Sequence, residues 1–187
     1  DLQIARAEMG RAQEIINNLL EFSRDSTAEM QSVDINRLVT QTLKLMNKHL
    51  QNSGVRPETD FADVGRCRAS ENGMRQVLLN LITNAVQAMP DGGKLRVATR
   101  KQGGSRVTLA ISDTGVGIPP ERLARIFDPF YTTKSPGEGT GLGLSVVHSV
   151  IANAGGTLDV TSTPGSGTTF SIELNADEKP ARGVAKA

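Results

Sequence analysis

The sequence predicts an α/β fold of two layers, in which helices cover one face of a mixed, largely antiparallel sheet. Two stretches alternate apolar and polar residues around a glycine-rich turn, which is typical of β-hairpins. Three further segments carry apolar residues at every third or fourth position, as helices packed on a sheet do. A long amphipathic helix is predicted to precede this domain.

That leading helix is predicted over residues 2–22, within a unit that we place at 1–30. Its apolar residues alternate at spacings of three and four: Leu2, Ala5, Met9, Ala12, Ile16 and Leu19. This is the spacing of a heptad seam. A helix of about 30 Å, at about 1.5 Å per residue, needs a partner to cover such a stripe. The alternative is an amphipathic helix lying on the main domain.

The main domain is predicted over residues 31–175, and its elements follow from apolar periodicity interrupted by glycine and proline. In chain order they are a strand at 33–35, a helix at 36–52, strands at 55–61 and 67–70, a helix at 72–89, a hairpin at 95–113, a helix at 142–154 and a hairpin at 158–174. Residues 114–140 are predicted to be irregular. Residues 176–187 lack apolar periodicity and are predicted to be a disordered tail.

The composition excludes several classes of partner and environment. With 21 Lys and Arg against 20 Asp and Glu, the net charge is +1, and only 3% of residues are aromatic, so we expect no nucleic-acid partner. Cys67 is the single cysteine, which rules out an intrachain disulfide and favours a cytoplasmic setting. We expect Cys67 to be a buried residue that fills space in the core. No signal peptide or membrane-length apolar run is seen, and the start within a helical pattern indicates a fragment.

Two glycine-rich turns predict a nucleotide site. The first is Asp113-Thr-Gly115-Val-Gly117, and the second runs from Gly137 to Leu144 into a predicted helix. Free backbone N–H groups at a helix start hold phosphate oxygens well. Neither turn completes the phosphate-binding loop or the dinucleotide motif. A flexible surface loop with a glycine cap remains the alternative for the second turn.

Polar side chains beside these turns are the candidate ligands. Asp113 ends an apolar strand, where its carboxylate can accept a donor from a base or cap its own β-turn. Asn80 and Asn84 are four residues apart, so both amides project from one helix face. Amide oxygens are hard ligands that suit Mg²⁺, although a lone Asn is more often a satisfied polar residue.

Five segments in this order and spacing resemble the N, G1, F, G2 and G3 boxes of sensor histidine kinases. They are Asn80-Leu-Ile-Thr-Asn84-Ala85, Asp113-Thr-Gly115-Val-Gly117-Ile-Pro119, Phe127-Asp-Pro-Phe130, Gly139-Thr-Gly-Leu-Gly143-Leu144 and Gly167-Thr-Thr-Phe170. The resemblance implies the Bergerat ATP-binding fold shared with gyrase, heat-shock chaperones and mismatch-repair ATPases. It also implies that residues 1–25 are the second helix of a dimerisation hairpin, and Gln87-Ala-Met89 and Phe130–Lys134 look most like the nitrogen-regulation branch.

The resemblance also implies roles for single residues. Asp113 would take the adenine amine with support from Thr168, Asn84 would coordinate Mg²⁺, and Asn80 and Lys134 would act in catalysis. The remaining nucleotide contacts would come from the two turns: Gly115, Gly117, Gly139, Thr140, Gly141, Leu142, Gly143 and Leu144. Phe127, Phe130 and Tyr131 would pin a lid over ATP. Many relatives carry Lys or Arg where Gln87 stands, which puts one phosphate contact in doubt.

Asn80 stands where the hydrolytic relatives have a water-orienting glutamate, so the resemblance implies phosphoryl transfer rather than hydrolysis. The acceptor would be a histidine on a dimerisation domain, and neither His49 nor His148 has the acidic neighbour of that motif. The implied partners are ATP, that domain, a response regulator and a second copy of the full-length parent. The implied location is the cytoplasm or the cytosolic side of a membrane-bound sensor. The alternatives are an ATPase or serine kinase of the same superfamily, and a regulatory module that binds ATP.

Overall fold

The fold comes from a computed structural model that describes residues 29–103, 105–133 and 139–177. In chain order the elements are β1 (Gln31–Val33), α1 (Ile35–Asn52), β2 (Val55–Phe61), β3 (Cys67–Ala69), α2 (Glu71–Ala88), β4 (Gly93–Gln102), β5 (Arg106–Asp113), α3 (Pro120–Leu123), α4 (Gly143–Asn153), β6 (Thr157–Thr163) and β7 (Gly167–Asn175). The predicted leading helix at 2–22 lies outside the described residues.

The main sheet has five strands in the order β2-β4-β5-β7-β6. Strand β2 pairs in parallel with β4, and the three other pairs in this sheet are antiparallel. A parallel pair needs a crossover, which here passes through β3 and α2. Strands β1 and β3 form a separate two-stranded sheet. The predicted mixed, largely antiparallel sheet and both predicted hairpins are confirmed.

The core lies between one face of the sheet and the helices. Burial alternates along β5, where Val107, Leu109 and Ile111 are buried and the residues between them are half-buried. Helix α2 packs against β4, β5 and β7 and also contacts α4. Its buried side includes Val77, Leu78, Leu81, Ile82 and Ala85. Burial of one sheet face under helices confirms the two-layer prediction and fixes which side of α2 remains for a site.

Capping side chains set the helix starts and correct two predicted strand ends. Asp34 accepts the N–H of Arg37 at 2.9 Å, so α1 begins at Ile35 and the predicted strand at 33–35 ends at Val33. Ser70 accepts the N–H of Gly73 at 3.1 Å and begins α2 rather than ending a strand. In both places a short polar residue satisfies backbone donors that the first helical turn leaves open.

Two further predictions need correction. Residues 114–140 are not wholly irregular, because the short helix α3 forms where Pro120 occupies an N-terminal position that needs no N–H donor. The predicted disordered tail begins too early at residue 176. Ala176 bridges to Cys67, and the N–H of Asp177 donates to the carbonyl of Arg66 at 2.7 Å. Residues 178–187 lie outside the described part of the chain.

The environment of Cys67 confirms that it fills the core. Its side chain is fully buried, and loss of hydration, followed by the nearby carboxylates of Asp34 and Asp177, raises the pKa of the thiol to about 11. Within the described ranges, none of the helices has the length and apolar character needed to span a bilayer.

Leu78→Ala tests the assignment of the core. Leu78 is 0% exposed on α2, so we expect truncation to lower the free energy of unfolding by about 2–5 kcal/mol, measured by urea denaturation. The matched control is Leu45→Ala on α1, where the side chain is 70% exposed and the expected change is within about 0.5 kcal/mol. Equal losses from the two variants would contradict the packing described.

Candidate nucleotide-binding site

A cavity of about 490 Å³ lies beside the exposed flank of α2. Its walls come from α2, the loop after β5, the segments before α4 and the start of β7. This volume lies within the range of about 300–1,000 Å³ that is usual for small-molecule and cofactor sites. The polar side chains that line it include Asn80, Thr83, Asn84, Asp113 and Thr168.

The cavity brings together residues that are far apart in the sequence. Of the predicted site residues, those lining it are Asn80, Asn84, Asp113, Gly117, Gly139, Thr140, Gly141, Gly143, Leu144 and Thr168. Gly115 and Leu142 lie behind this lining, where Gly115 packs against Ala88 and Leu142 is buried. Lys134 and the start of the second turn, Gly137, lie outside the described residues.

Asp113 stands at the end of β5 with one carboxylate oxygen held by backbone donors. Its Oδ1 accepts the N–H of Gly115 at 2.8 Å and the N–H of Thr168 at 3.3 Å. Burial raises the pKa of this carboxyl above its ordinary value of 3.8, and the two N–H donors oppose the rise. The carboxylate lines the cavity, so it presents acceptor capacity to a ligand.

The loop after β5 is fixed from two sides. The N–H of Val116 donates to the carbonyl of Ala88 at the end of α2, and the N–H of Gly165 donates to the carbonyl of Val116. Gly117 has a φ of +71°, and a Cβ there would lie 2.2 Å from the carbonyl oxygen of Thr163. Only glycine fits this left-handed conformation and this close approach. The first glycine turn therefore packs between α2 and the β6–β7 turn and is held by hydrogen bonds to both.

The two asparagines of α2 face the same wall but differ in their contacts. The Asn80 amide donates from Nδ2 to the carbonyl oxygen of Gly143, the first residue of α4, at 3.2 Å. This contact ties α2 to the start of α4 and orients the amide oxygen of Asn80. The Asn84 side chain lines the cavity without a hydrogen bond to another described residue. Its amide oxygen suits a hard cation that also takes phosphate oxygens and water, so the donor set fits Mg²⁺.

Residues on both sides of segment 131–140 meet at its base. The N–H of Phe130 donates to the carbonyl of Gly141 at 2.9 Å, and a Cβ on Gly141, whose φ is +68°, would lie 2.4 Å from the Phe130 carbonyl carbon. Phe127 packs on the core and contacts the ring of His148, while the Arg125 guanidinium lies 4.7 Å from the ring centre of Tyr131.

The three predicted lid anchors differ in how deeply their rings are buried. Phe127 and Tyr131 pack against the core at this base, whereas the Phe130 ring is 65% exposed. Phe130 contributes through its backbone, which adopts a φ of +67° to reach Gly141. His148 and His49 are both exposed.

Several lining residues were not singled out from the sequence. They include Leu79, Arg122 and Ile126, whereas Thr83, Ile118, Pro119 and Phe170 belong to the boxes already described. Arg122 and Asp113 are the only Asp, Glu, Lys or Arg residues in the described lining, and no sequence pattern predicted that α3 would place Arg122 there. Ile118 and Pro119 directly follow the first glycine turn, within the box that begins at Asp113.

Comparison with known proteins gives the family. Residues 69–178 match the family described as "Histidine kinase-, DNA gyrase B-, and HSP90-like ATPase". This range contains α2, the cavity and both glycine turns, and it covers more than half of the chain.

The relatives and solved structures agree with that match. The chain is 37% identical to the sensor histidine kinase ZraS of Klebsiella oxytoca, over 94% of this chain and 38% of the relative. It is 38% identical to the signal transduction histidine-protein kinase AtoS of Escherichia coli K12, over 92% of this chain and 28% of the relative. The chain thus spans less than two-fifths of these relatives.

Two solved structures share the fold. Full-length ShkA in complex with AMPPNP superposes with a TM-score of 0.79 at 30% identity, covering 92% of this chain and 38% of that one. The catalytic domain of histidine kinase ThkA superposes with a TM-score of 0.69 at 28% identity, covering 79% of this chain and 95% of that one. This chain belongs to the histidine kinase-, DNA gyrase B- and HSP90-like ATPase family, and its ATP-binding catalytic domain is of the sensor histidine kinase type.

Proposed function

We propose that the chain binds Mg·ATP in the cavity beside α2 and donates the γ-phosphoryl group to a histidine on a dimerisation domain. The observation that carries this proposal is the convergence of Asp113, the two asparagines of α2 and the second glycine turn on one cavity. A carboxylate at one wall suits a base that carries an amine. Backbone N–H groups at the start of α4 suit a triphosphate.

Asp113 would recognise the adenine. The backbone donors of Gly115 and Thr168 share Oδ1, which leaves the second carboxylate oxygen to accept from the exocyclic amine. Thr168, 5% exposed, lines the cavity next to this carboxylate and would support the same base. Ile118, Ile126 and Phe170 supply apolar surface for a planar ring.

The phosphates would lie against Gly139, Thr140, Gly141, Gly143 and Leu144, where the chain enters α4. Asn84 would hold Mg²⁺, which neutralises charge on the phosphate oxygens when it is bound. We also assign Lys134, on the segment between Phe130 and Gly141, to the γ-phosphoryl group. Gly115 and Leu142 would act from behind the lining by fixing the two turns.

Transfer rather than hydrolysis follows from the chemistry of Asn80. An amide cannot remove a proton from water, and one N–H of the Asn80 Nδ2 group donates to the carbonyl of Gly143. Positioning and charge neutralisation would then supply the catalysis, as in phosphoryl transfer generally. The partners that we propose are a dimerisation domain bearing the histidine, a second copy of the full-length parent and a response regulator, all in the cytoplasm.

The transfer reaction is tested by supplying the acceptor in trans. We expect [γ-³²P]ATP and this chain to label a separate dimerisation domain that carries the histidine, with an acid-labile, base-stable phosphoryl group. The chain alone should remain unlabelled. ATP binding without labelling of the acceptor would favour a regulatory module, and rapid phosphate release without labelling would favour an ATPase.

Asp113→Asn tests adenine recognition. Asn can keep the contacts to Gly115 and Thr168 through its carbonyl oxygen but turns an NH₂ donor toward the cavity. We expect ATP affinity, measured by calorimetry, to fall about 10- to 100-fold, the usual range for losing a hydrogen bond to a charged group. The thermal midpoint of the ligand-free variant serves as the control for folding.

The native chain and Asp113→Asn should also differ in how their ATP affinity changes with pH. Burial raises the pKa of Asp113 above 3.8, and the ionised carboxylate accepts the adenine amine more strongly than the protonated acid, which carries a hydroxyl donor. ATP affinity of the native chain should therefore fall as the pH drops through this raised pKa and be restored above it. The titration of ATP itself is common to both proteins, so the ratio of native to Asp113→Asn affinity isolates the carboxylate. A ratio that is flat with pH would contradict the role of Asp113.

Asn84→Ala tests the metal site. We expect the variant to lose most of the enhancement that Mg²⁺ gives to ATP binding in the native chain, measured by titrations with and without the metal. Asn72→Ala is the matched control, because Asn72 is exposed on the same helix and does not line the cavity. An unchanged Mg²⁺ enhancement in Asn84→Ala would remove Asn84 from the metal site.

A further inference from the structure

Ser162 lies on β6 beside the cavity but is not part of its lining. It is half-buried, and its Cα pairs with that of Thr168 across the β6–β7 hairpin. Three polar groups surround its hydroxyl oxygen: the N–H of Ile118 at 2.8 Å, the carbonyl oxygen of Gly167 at 3.0 Å and the hydroxyl oxygen of Thr168 at 2.9 Å. One side chain thus connects the loop after β5 to the start of β7.

The directions of these hydrogen bonds follow from the chemistry of the groups. The Ser162 hydroxyl has one proton, and the Gly167 carbonyl can only accept, so the proton points to Gly167. The Ile118 N–H can only donate, so it occupies one lone pair of Ser162. The remaining lone pair must accept the proton of Thr168. Ser162 therefore fixes the hydroxyl proton of Thr168 away from the cavity.

This arrangement leaves one edge of the cavity with hydrogen-bond acceptors only. With its proton directed to Ser162, the buried Thr168 hydroxyl offers only acceptor lone pairs to a ligand. Asp113 beside it is an acceptor as well, and the Thr168 N–H donor is already bound to Asp113 Oδ1. A purine with an amine at this edge finds partners, whereas a purine with a carbonyl there meets lone pairs.

We propose that Ser162 is a positioning residue that makes the site selective for a 6-aminopurine over a 6-oxopurine. The proposal rests on the proposed binding of ATP and adds a second determinant to Asp113. Ser162 acts through Thr168 and through Ile118, whose backbone it also holds. Without the Ser162 hydroxyl, the Thr168 hydroxyl is free to rotate and to donate to a carbonyl.

The test compares ATP with inosine triphosphate, which carries a carbonyl in place of the adenine amine. The native chain should bind ATP more tightly than inosine triphosphate. In Ser162→Ala we expect the ratio of the two affinities to fall roughly 3- to 10-fold, as the net loss of about one hydrogen bond implies. Ser162→Thr keeps a hydroxyl and should restore the native ratio. Equilibrium titration of each variant with both nucleotides provides these values.

Ser112→Ala is the matched control, because its hydroxyl also accepts from a threonine, Thr169, but does not line the cavity. Its affinity ratio should equal that of the native chain even if its thermal midpoint falls. Should Ser162→Ala fail to fold, Ser162→Cys, whose thiol is a weak donor and acceptor, should show the same loss of selectivity.

A native ratio in folded Ser162→Ala or Ser162→Cys would overturn the role of Ser162, as would a native chain that binds both nucleotides equally. A native chain that binds neither nucleotide would instead refute the proposed function, and with it the basis of this inference.

Discussion

The site depends on the carboxylate of Asp113 being held at one oxygen by two backbone donors. The N–H groups of Gly115 and Thr168 come from the loop after β5 and from β7, so this one acceptor joins two strand ends. The same bonds leave the other oxygen available and oppose the rise in pKa that burial causes. Strand pairing between β5 and β7 brings these groups together, so the sheet itself builds the edge that we propose recognises the base.

Helix α2 forms another wall of the cavity. Apolar residues on one side fix the helix to the sheet, which leaves Asn80 and Asn84 on the cavity side. The bond from Asn80 to Gly143 ties this wall to the start of α4, and the bond from Phe130 to Gly141 closes the base of the segment between them. The proposed base, metal and phosphate contacts thus lie on separate elements that share one core.

Much of this arrangement could be predicted from the sequence, because periodicity and turn residues report local structure. The hairpins, the helices and the alignment of Asn80 with Asn84 depend on spacing alone. Contacts between distant segments left no such signal. Nothing local marks Ser162 as a partner of Ile118, or Arg122 as a lining residue, since both depend on how β6 and α3 pack. The exposure of the Phe130 ring also had no local signal, and the backbone of this residue bonds to Gly141 across the intervening segment.

The most direct measurement is a crystal structure of this chain with Mg²⁺ and a non-hydrolysable ATP analogue. The account predicts the adenine amine within hydrogen-bond distance of the Asp113 carboxylate, the metal on the amide oxygen of Asn84 and the phosphates at the start of α4. A triphosphate beside Asp113, or a metal bound without Asn84, would contradict it.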